Sequence, residues 1–170
     1  GVFIEKISGS DLVYDVCEKA NSGSEKVFLL GGQRESNNLS QQKIQEQYKN
    51  LKISGFSPDF SPYPFSANLN YEICKKIMDF SPDYLFVGFG AGKQESWIND
   101  NFNLLKEINV KMVVGSGGTF EFVSGKITRA PKLIQKIGLE GVFRLLVEPK
   151  MFRLKRIMKS FKIFYYALIS

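Results

Sequence analysis

The sequence contains no histidine among its 170 residues. This absence excludes nucleophile activation by histidine, and it excludes histidine metal ligands in this chain. Cysteine occurs only at Cys17 and Cys74. The two cysteines lack the paired spacing of a metal site, and two isolated cysteines do not suggest a disulfide framework. We therefore expect neither a metal centre nor a disulfide-stapled fold.

The sequence also lacks a hydrophobic run long enough to span a bilayer, and no segment resembles a signal peptide. Together with the scarcity of cysteine, these absences favour a cytoplasmic location. The first residue is Gly1 rather than Met, which suggests a fragment or a processed product. The length is sufficient for one domain with a sizeable core.

The net charge of +6 is confined to one end of the chain. Six of the 23 Lys and Arg residues lie between Lys150 and Ser170, a segment without acids, which leaves 17 cations and 17 acids in residues 1–149. Apolar residues recur there at spacings of three and four, at Met151, Leu154, Met158, Phe161 and Tyr165.

This spacing predicts a basic amphipathic helix over residues 150–170. We expect the helix to associate with an anionic membrane surface; alternatively, it packs on the domain and leaves its basic face in solvent. Nucleic-acid binding is less attractive, because the body of the chain carries no basic patch. The sequence gives no indication of the oligomeric state.

Short apolar strands alternate with helical segments through residues 1–149, the first of the two predicted domains. Strands are predicted at 27–30, 51–54, 84–87 and 110–114, and helices at 11–20, 38–48, 67–80 and from 93 onwards. The alternation predicts an α/β fold, with a Rossmann-like parallel sheet, helices on both of its faces and a C-terminal helical appendage. In the helix after residue 93, we expect Trp97, Ile98, Phe102 and Leu105 to point inward.

Three glycine-rich turns follow predicted strands. They contain Gly31 and Gly32, then Gly88, Gly90 and Gly92, and finally Gly115, Gly117 and Gly118. In parallel sheets, ligands bind at the carboxyl ends of the strands, where glycines allow close approach and helix N-termini attract anions. The turns therefore predict an anion site; the alternative is tight backbone packing.

The second turn departs from two known fingerprints. Lys93 stands where a dinucleotide-binding motif has its last glycine, and Val87 stands where a P-loop has its first. An NAD-dependent oxidoreductase is accordingly the weakest of the candidate functions. A nucleotide or nucleotide-sugar ligand remains compatible with the turn.

Several polar side chains near these turns suit a phosphorylated sugar. Lys93 can neutralise a phosphate, and Gln94 can both donate and accept hydrogen bonds to a sugar. Glu95 either contributes to the same site or is simply well placed in the first turn of a helix. Arg129 and Arg144 are fork-shaped donors suited to phosphate, although each can also form an ordinary salt bridge.

A proline-rich segment, residues 55–64, contains three aromatic side chains. Phe56, Phe60 and Tyr63 alternate with prolines, so the segment is predicted to be a loop. The aromatic rings can stack on a nucleobase or form a small local core.

The motifs occur together in an order typical of one family. They are Val87–Ile98, Val114–Phe122 with Gly125, Arg129–Pro131, Gly138–Glu140, Phe143–Leu145 and Glu148–Pro149. From about Lys6 to Arg156 the chain resembles the WecG/TagA/CpsF glycosyltransferases. The resemblance implies transfer of a sugar such as N-acetylmannosamine from a UDP-sugar donor to an undecaprenyl-diphosphate-linked acceptor at the inner membrane face, for teichoic acid, common antigen or capsule.

The resemblance also implies roles for particular residues. Gln94 would position the reacting sugar, and Arg144, Arg153 and Arg156 would approach the diphosphates. The chain lacks an Asp-x-Asp motif, with which many such enzymes hold a metal ion, so inverting transfer without metal or cofactor is expected, with cations and backbone N–H groups stabilising the leaving diphosphate.

The chain departs from the family pattern at three positions. Gly92 replaces a usual proline, Gly141 replaces a tryptophan, and Lys6 replaces an arginine, which keeps the charge but loses the fork. In the family, the general base is an aspartate in a segment that we expect to precede Gly1. The alternative function is therefore a non-catalytic nucleotide-sugar binding module.

Overall fold

The computed structural model describes residues 9–128 and, beyond them, residues 130, 131, 134, 140–147, 149, 151, 154 and 158. The chain divides into two units, Gly1–Lys126 and Ile127–Ser170. The predicted domain boundary at residues 149/150 falls inside the second unit and stays a prediction.

The first unit contains four strands and six of the described helices. The strands are β1 (Lys26–Gly31), β2 (Lys52–Phe56), β3 (Tyr84–Gly88) and β4 (Met112–Gly115). The helices are α1 (Gly9–Gly23), α2 (Arg34–Gln47), α3 (Ala67–Phe80), α4 (Lys93–Asp100), α5 (Phe102–Glu107) and α6 (Thr119–Val123). In the second unit, α7 spans Glu140–Val147.

All strand pairs in the sheet are parallel, and the strand order is β2-β1-β3-β4. The chain runs from β1 outward to β2, then crosses back over β1 to β3, so the direction of winding reverses between β1 and β3. Their register brings Gly31 beside Gly88 at the carboxyl end of both strands. This reversal is the position at which open α/β sheets bind ligands.

Side chains of β1 and β3 alternate between two cores, one on each face of the sheet. Val27 and Leu29 pack on the face covered by α1, α2 and α6, whereas Phe28 and Leu30 pack on the face covered by α3, α4 and α5. Every residue of β3 is buried, as expected for a strand covered on both sides. The predicted α/β fold with helices on both faces is confirmed.

Two helix predictions differ from the structure. Helix α2 begins at Arg34, directly after the glycine turn, and not at residue 38; its polar sequence gives little periodicity from which to place its start. Phe102 is 60% exposed, so the prediction that it points inward is wrong, whereas Trp97 and Leu105 are buried. The helical region is interrupted at Asn101, where α4 ends, and this break shifts the inward face of α5.

A charged cluster lies at the amino end of the sheet. Lys111, just before β4, forms ion pairs with Glu25 and with Asp83, the latter at 3.0 Å between Nζ and Oδ1. Hydrogen bonds from Lys111 and Tyr84 lower the pKa of Glu25. Burial acts to raise the pKa of Asp83, but hydrogen bonds from the backbone N–H of Lys26 and from Lys111 outweigh it and lower that pKa. The cluster thus joins the starts of β1, β3 and β4.

We predict that Lys111→Gln lowers the thermal midpoint at neutral pH. Both carboxyl pKa values are lower in the folded chain than in the unfolded chain, so their contribution is present above the unfolded pKa and is lost as pH falls through the folded one. The difference between wild type and variant should therefore shrink in acid. Lys75→Gln, the same change at an exposed site on α3, is the control. A pH-independent difference would show that the ion pairs are not its source.

Candidate functional site

A cleft of about 520 Å³ opens at the carboxyl ends of β1 and β3. It includes the turn after β1, the turn after β3, the turn before α6 and the loop after β2. Its lining residues are Gly31, Gly32, Gln33, Arg34, Ser57, Pro58, Asp59, Phe60, Ser61, Phe65, Gly88, Phe89, Gly90, Lys93, Gly117, Gly118 and Glu121. The cleft therefore lies at the reversal point of the sheet.

The floor of the cleft is held by hydrogen bonds between the first two glycine turns and the segments beside them. The N–H of Gly32 donates to the carbonyl of Gly88 at 2.9 Å. The carbonyl of Gly31 accepts from Nδ2 of Asn37 at 2.9 Å and from Oγ of Ser57 at 2.8 Å. Asn37 is buried, and its Nδ2 also donates to the carbonyl of Leu29. Buried polar groups with satisfied partners fix geometry, so this network sets the position of the β1 turn.

Asn37 has a supporting role at the site that the sequence did not reveal. It lies in the part of α2 that the sequence does not predict as helix, and its side chain bonds back to the strand eight residues earlier. The glycine at position 55 on β2 is related to this contact, because a Cβ on Gly55 would lie 2.4 Å from Oδ1 of Asn37. The pairing of β1 with β2 brings Asn37 and Gly55 together. The spacing of the two residues in the sequence does not reveal this contact.

Gln94 connects the second and third glycine turns. Its side chain is 5% exposed; Oε1 accepts from the N–H of Gly117 at 3.0 Å, and Nε2 donates to Oε1 of Glu95 at 2.9 Å. Glu95 in turn accepts from the N–H of Gly92 at 2.6 Å. Hydrogen bonds from Gln94 and from the backbone N–H groups of Glu95 and Gly92 lower the pKa of Glu95. Gln94 and Glu95 form a clasp across the wall of the cleft.

Four glycines of the three turns, namely Gly31, Gly32, Gly88 and Gly115, pack closely against their own protein. A Cβ on any of them would lie less than 3.0 Å from a side-chain atom; on Gly115 that atom is Nε2 of Gln94, and on Gly88 it belongs to the ring of Phe120, each at 2.8 Å. Gly90 differs, because its φ is +92° and its Cβ position has no neighbour within 4 Å. The alternative of tight packing therefore describes those four glycines, whereas Gly90 has open space beside it.

Lys93 begins α4 and extends toward the loop after β2. Its Nζ donates to the carbonyl of Ser61 at 3.1 Å and lies 4.5 Å from the centre of the Phe60 ring. Phe60 is 94% exposed, an unusual exposure for phenylalanine. Phe65 and Phe89 continue the aromatic surface, with ring centres 5.0 Å apart. The cleft thus presents a cation and an exposed ring at its mouth.

Glu121, in the first turn of α6, is a further carboxylate in the lining. Its Oε2 is buried and has no hydrogen-bond partner in the part of the chain that the structure describes. A buried acceptor without a donor is unfavourable by about 1–3 kcal/mol, so a donor is expected at this position. The sequence did not single out this residue, because the helix that contains it is only five residues long.

The structure brings most of the described sequence-predicted residues together. Gly31, Gly32, Gly88, Gly90, Lys93, Gly117 and Gly118 line the cleft. Gln94, Glu95 and Gly115 lie in its wall and not among the lining residues. Arg129, Arg153 and Arg156 lie outside the described residues, and so does the side chain of Arg144, whose backbone belongs to α7. Their predicted roles stay predictions.

A family model described as the glycosyl transferase WecG/TagA/CpsF family matches residues 1–170. The chain belongs to this family. The WecG/TagA/CpsF chain is 34% identical over 164 residues to an N-acetylglucosaminyldiphosphoundecaprenol N-acetyl-beta-D-mannosaminyltransferase of Staphylococcus aureus strain MRSA252. Its identity to the proteins of the same name from strains NCTC 8325 and MW2 is 33%. Each match covers 96% of this chain and 59% of the relative, so the chain spans less than two thirds of their length.

Two further features concern the described residues of this WecG/TagA/CpsF chain. No group of three or more cysteine or acidic side chains in that part is arranged to hold a metal ion. No helix there is both long enough and apolar enough to cross a membrane. The expected absence of a metal or cofactor stays a prediction.

We predict that Gly115→Ala destabilises the chain by displacing Gln94, and that the effect is lost when Gln94 is already alanine. Breaking the clasp leaves the N–H of Gly117 unpaired, which corresponds to about 1–3 kcal/mol in the free energy of unfolding. Chemical denaturation of the two single variants and the double variant measures the coupling.

Gly141→Ala is the matched control, because a Cβ at that helical position meets nothing within 4 Å. That variant should be neutral or slightly stabilising. Additive effects of Gly115→Ala and Gln94→Ala would contradict the clasp.

Proposed function

We propose that this chain carries the donor-binding part of a glycosyltransferase that moves an N-acetylmannosamine-like sugar from UDP to an undecaprenyl-diphosphate-linked acceptor. The observation that carries the proposal is the cleft at the sheet reversal, lined by glycine turns and by Lys93. Family membership supports the reaction class. The names of the Staphylococcus aureus relatives support the sugar and the lipid-linked acceptor.

The cleft provides contacts for each part of a UDP-sugar. The exposed ring of Phe60 offers a surface for the base, and aromatic stacking on a nucleobase contributes about 1–3 kcal/mol. Lys93 is placed to neutralise a phosphate, as its ammonium lies beside that ring. Glu121 accepts from a ribose or sugar hydroxyl, which would supply the donor that its side chain lacks in the described part.

The proposed reaction is inverting and independent of metal. The acceptor hydroxyl oxygen forms a bond to the anomeric carbon of the donor sugar while the bond from that carbon to the diphosphate oxygen breaks. The acceptor proton passes to a general base, and UDP leaves with the bonding electrons. Charge therefore develops on the diphosphate, which favours preorganised cations and N–H groups at the cleft.

Gln94 acts in this reaction mainly through the wall that it holds. Both polar ends of its amide have protein partners, Gly117 and Glu95, so the side chain fixes the spacing of two glycine turns. A direct contact with the reacting sugar would require its amide to exchange one of these partners. We therefore assign Gln94 a positioning role at the donor site.

The second unit is proposed to hold the protein at the inner face of the cell membrane. Met151, Leu154 and Met158 are spaced three and four residues apart, and all three are exposed. In a helix, this spacing puts side chains on one face. The cations between residues 150 and 162 would add attraction to anionic lipid. A lipid-linked acceptor lies in the membrane, so a protein that binds it must reach the membrane surface.

We predict labelled transfer when the full-length protein is incubated with UDP-N-acetylmannosamine and an undecaprenyl-diphosphate-linked N-acetylglucosamine. Lys93→Gln should reduce kcat/KM by about 10- to 100-fold, because a charge-assisted contact with the leaving diphosphate is lost. Lys75→Gln removes the same charge from an exposed site on α3 and should leave the rate unchanged.

Two results would separate the functions. Calorimetric binding of UDP by the full-length protein, without transfer to any lipid-linked acceptor, would favour the alternative, a non-catalytic nucleotide or nucleotide-sugar binding module. Absence of both UDP binding and transfer would rule out the donor site itself. Equal kcat/KM values for Lys93→Gln and Lys75→Gln would show that Lys93 does not contact the leaving diphosphate.

We also predict that replacing Met151, Leu154 and Met158 together by serine weakens binding to anionic phospholipid vesicles by about 100-fold. Each partly buried apolar side chain contributes on the order of 1 kcal/mol to such binding. Vesicle sedimentation measures the change. Met78→Ser, at another exposed methionine, is the control, and deletion of residues 150–170 should abolish binding. Undiminished binding of the triple variant would show that these side chains do not enter the membrane.

A further inference from the structure

One loop contacts both cations of the cleft. In the described lining, the charged side chains are Arg34, Asp59, Lys93 and Glu121. Asp59 pairs with Arg34, at 3.0 Å between Oδ1 and Nη2. Two residues further along the same loop, the carbonyl of Ser61 accepts from Lys93. The segment Ser57–Ser61 therefore provides a partner for each of the two cations in the described lining: a carboxylate for Arg34 and a carbonyl for Lys93.

The base of this loop is fixed, but its tip is not buried. Oγ of Ser57 donates to the carbonyl of Gly31, which attaches the start of the loop to the end of β1. At the tip, the side chain of Asp59 is 95% exposed, and that of Arg34 is 70% exposed. A single-contact ion pair with such exposure shifts an equilibrium by at most about five-fold. The Asp59 contact is consequently easy to exchange.

Arg34 has the chemistry to exchange Asp59 for a better anion. The ion pair joins one guanidinium nitrogen to one carboxylate oxygen. A phosphate group accepts two parallel N–H bonds from arginine, and such a pair is stronger than a single contact. Arg34 also directly follows the turn that ends β1, which places it at the edge of the cleft.

We propose that Arg34 binds a phosphate of the cleft ligand, and that Asp59 is an internal competitor that occupies Arg34 until the ligand displaces it. The inference rests on the proposed nucleotide-diphosphate ligand. It adds Arg34 to Lys93 as a second cation that binds the ligand, and it adds Asp59 as a determinant of affinity. The alternative is that the Arg34–Asp59 pair is a permanent closure of the loop that the ligand requires intact.

Calorimetric titration of the 170-residue chain with UDP, inorganic diphosphate and uridine at low ionic strength separates the two. We expect Asp59→Asn to tighten UDP binding by about two- to five-fold, since the competitor is removed. Arg34→Gln should weaken binding of UDP and of inorganic diphosphate by about ten-fold or more, and Arg34→Lys should lie between it and wild type. Uridine, without phosphate, should bind all variants equally.

The matched control is Glu35→Gln. Glu35 is the next residue of α2, pairs with Lys126 and does not line the cleft, so its loss removes the same charge near the same place. It should change UDP affinity by less than about two-fold, because Glu35 neither lines the cleft nor pairs with Arg34, so its loss frees no cation of the cleft. If Glu35→Gln raised UDP affinity as much as Asp59→Asn does, the effect would be one of general electrostatics. That result would overturn the proposal that Asp59 competes with the ligand for Arg34.

The double variant Arg34→Gln/Asp59→Asn gives the sharpest test. If Asp59 acts by occupying Arg34, removing Asp59 has no further effect once Arg34 is absent, so the double variant matches Arg34→Gln. A persisting gain, or weaker UDP binding by Asp59→Asn alone, overturns the inference. UDP binding that is insensitive to Arg34 overturns only this assignment and leaves the proposed function standing.

Binding of inorganic diphosphate in an Arg34-dependent way, without any preference for UDP, would support the anion site and contradict the nucleotide proposal. Failure of wild type and Asp59→Asn to bind either UDP or diphosphate would contradict both.

Discussion

The parallel pairing of β1 with β3 is the constraint on which the rest of the site depends. It places Gly31 beside Gly88, and from there the turns lead into α2 on one side and α4 on the other. Neither strand contributes a charged side chain at its end, so the chemistry comes from the segments that the pairing brings together. Loss of this register would separate the walls of the cleft even if every local turn kept its shape.

Glycine occurs at the site for two different physical reasons. Gly88 and Gly115 leave room for Phe120 and Gln94, so they serve the packing that holds the wall. Gly90 and Gly117 have open space where a Cβ would be, and both line the cleft. A sequence motif does not distinguish these two kinds of glycine. Only the packing separates the glycines that hold the wall from those that leave room for a ligand.

The sequence predicted the fold well because the relevant signals are local. The buried run of β3 and the amphipathic α3 were placed from hydrophobicity and helical periodicity alone. The site was predicted less completely. Asn37, Asp59 and Glu121 act through contacts 8 to 25 residues away in sequence or through burial that no spacing shows. Helix α6 is not among the predicted helices, since five residues are too few to show a helical period.

The loop after β2 provides a partner for each of the two cations in the described lining of the cleft. Two cations facing one cavity repel each other, and each would lose solvation if a loop closed over it without offering an acceptor. The loop after β2 supplies a carboxylate to Arg34 and a carbonyl to Lys93, while Phe60 supplies the face of its ring. These groups are weaker partners than a diphosphate. In the proposed function a diphosphate would replace these partners, so the same loop would also influence how tightly the ligand binds.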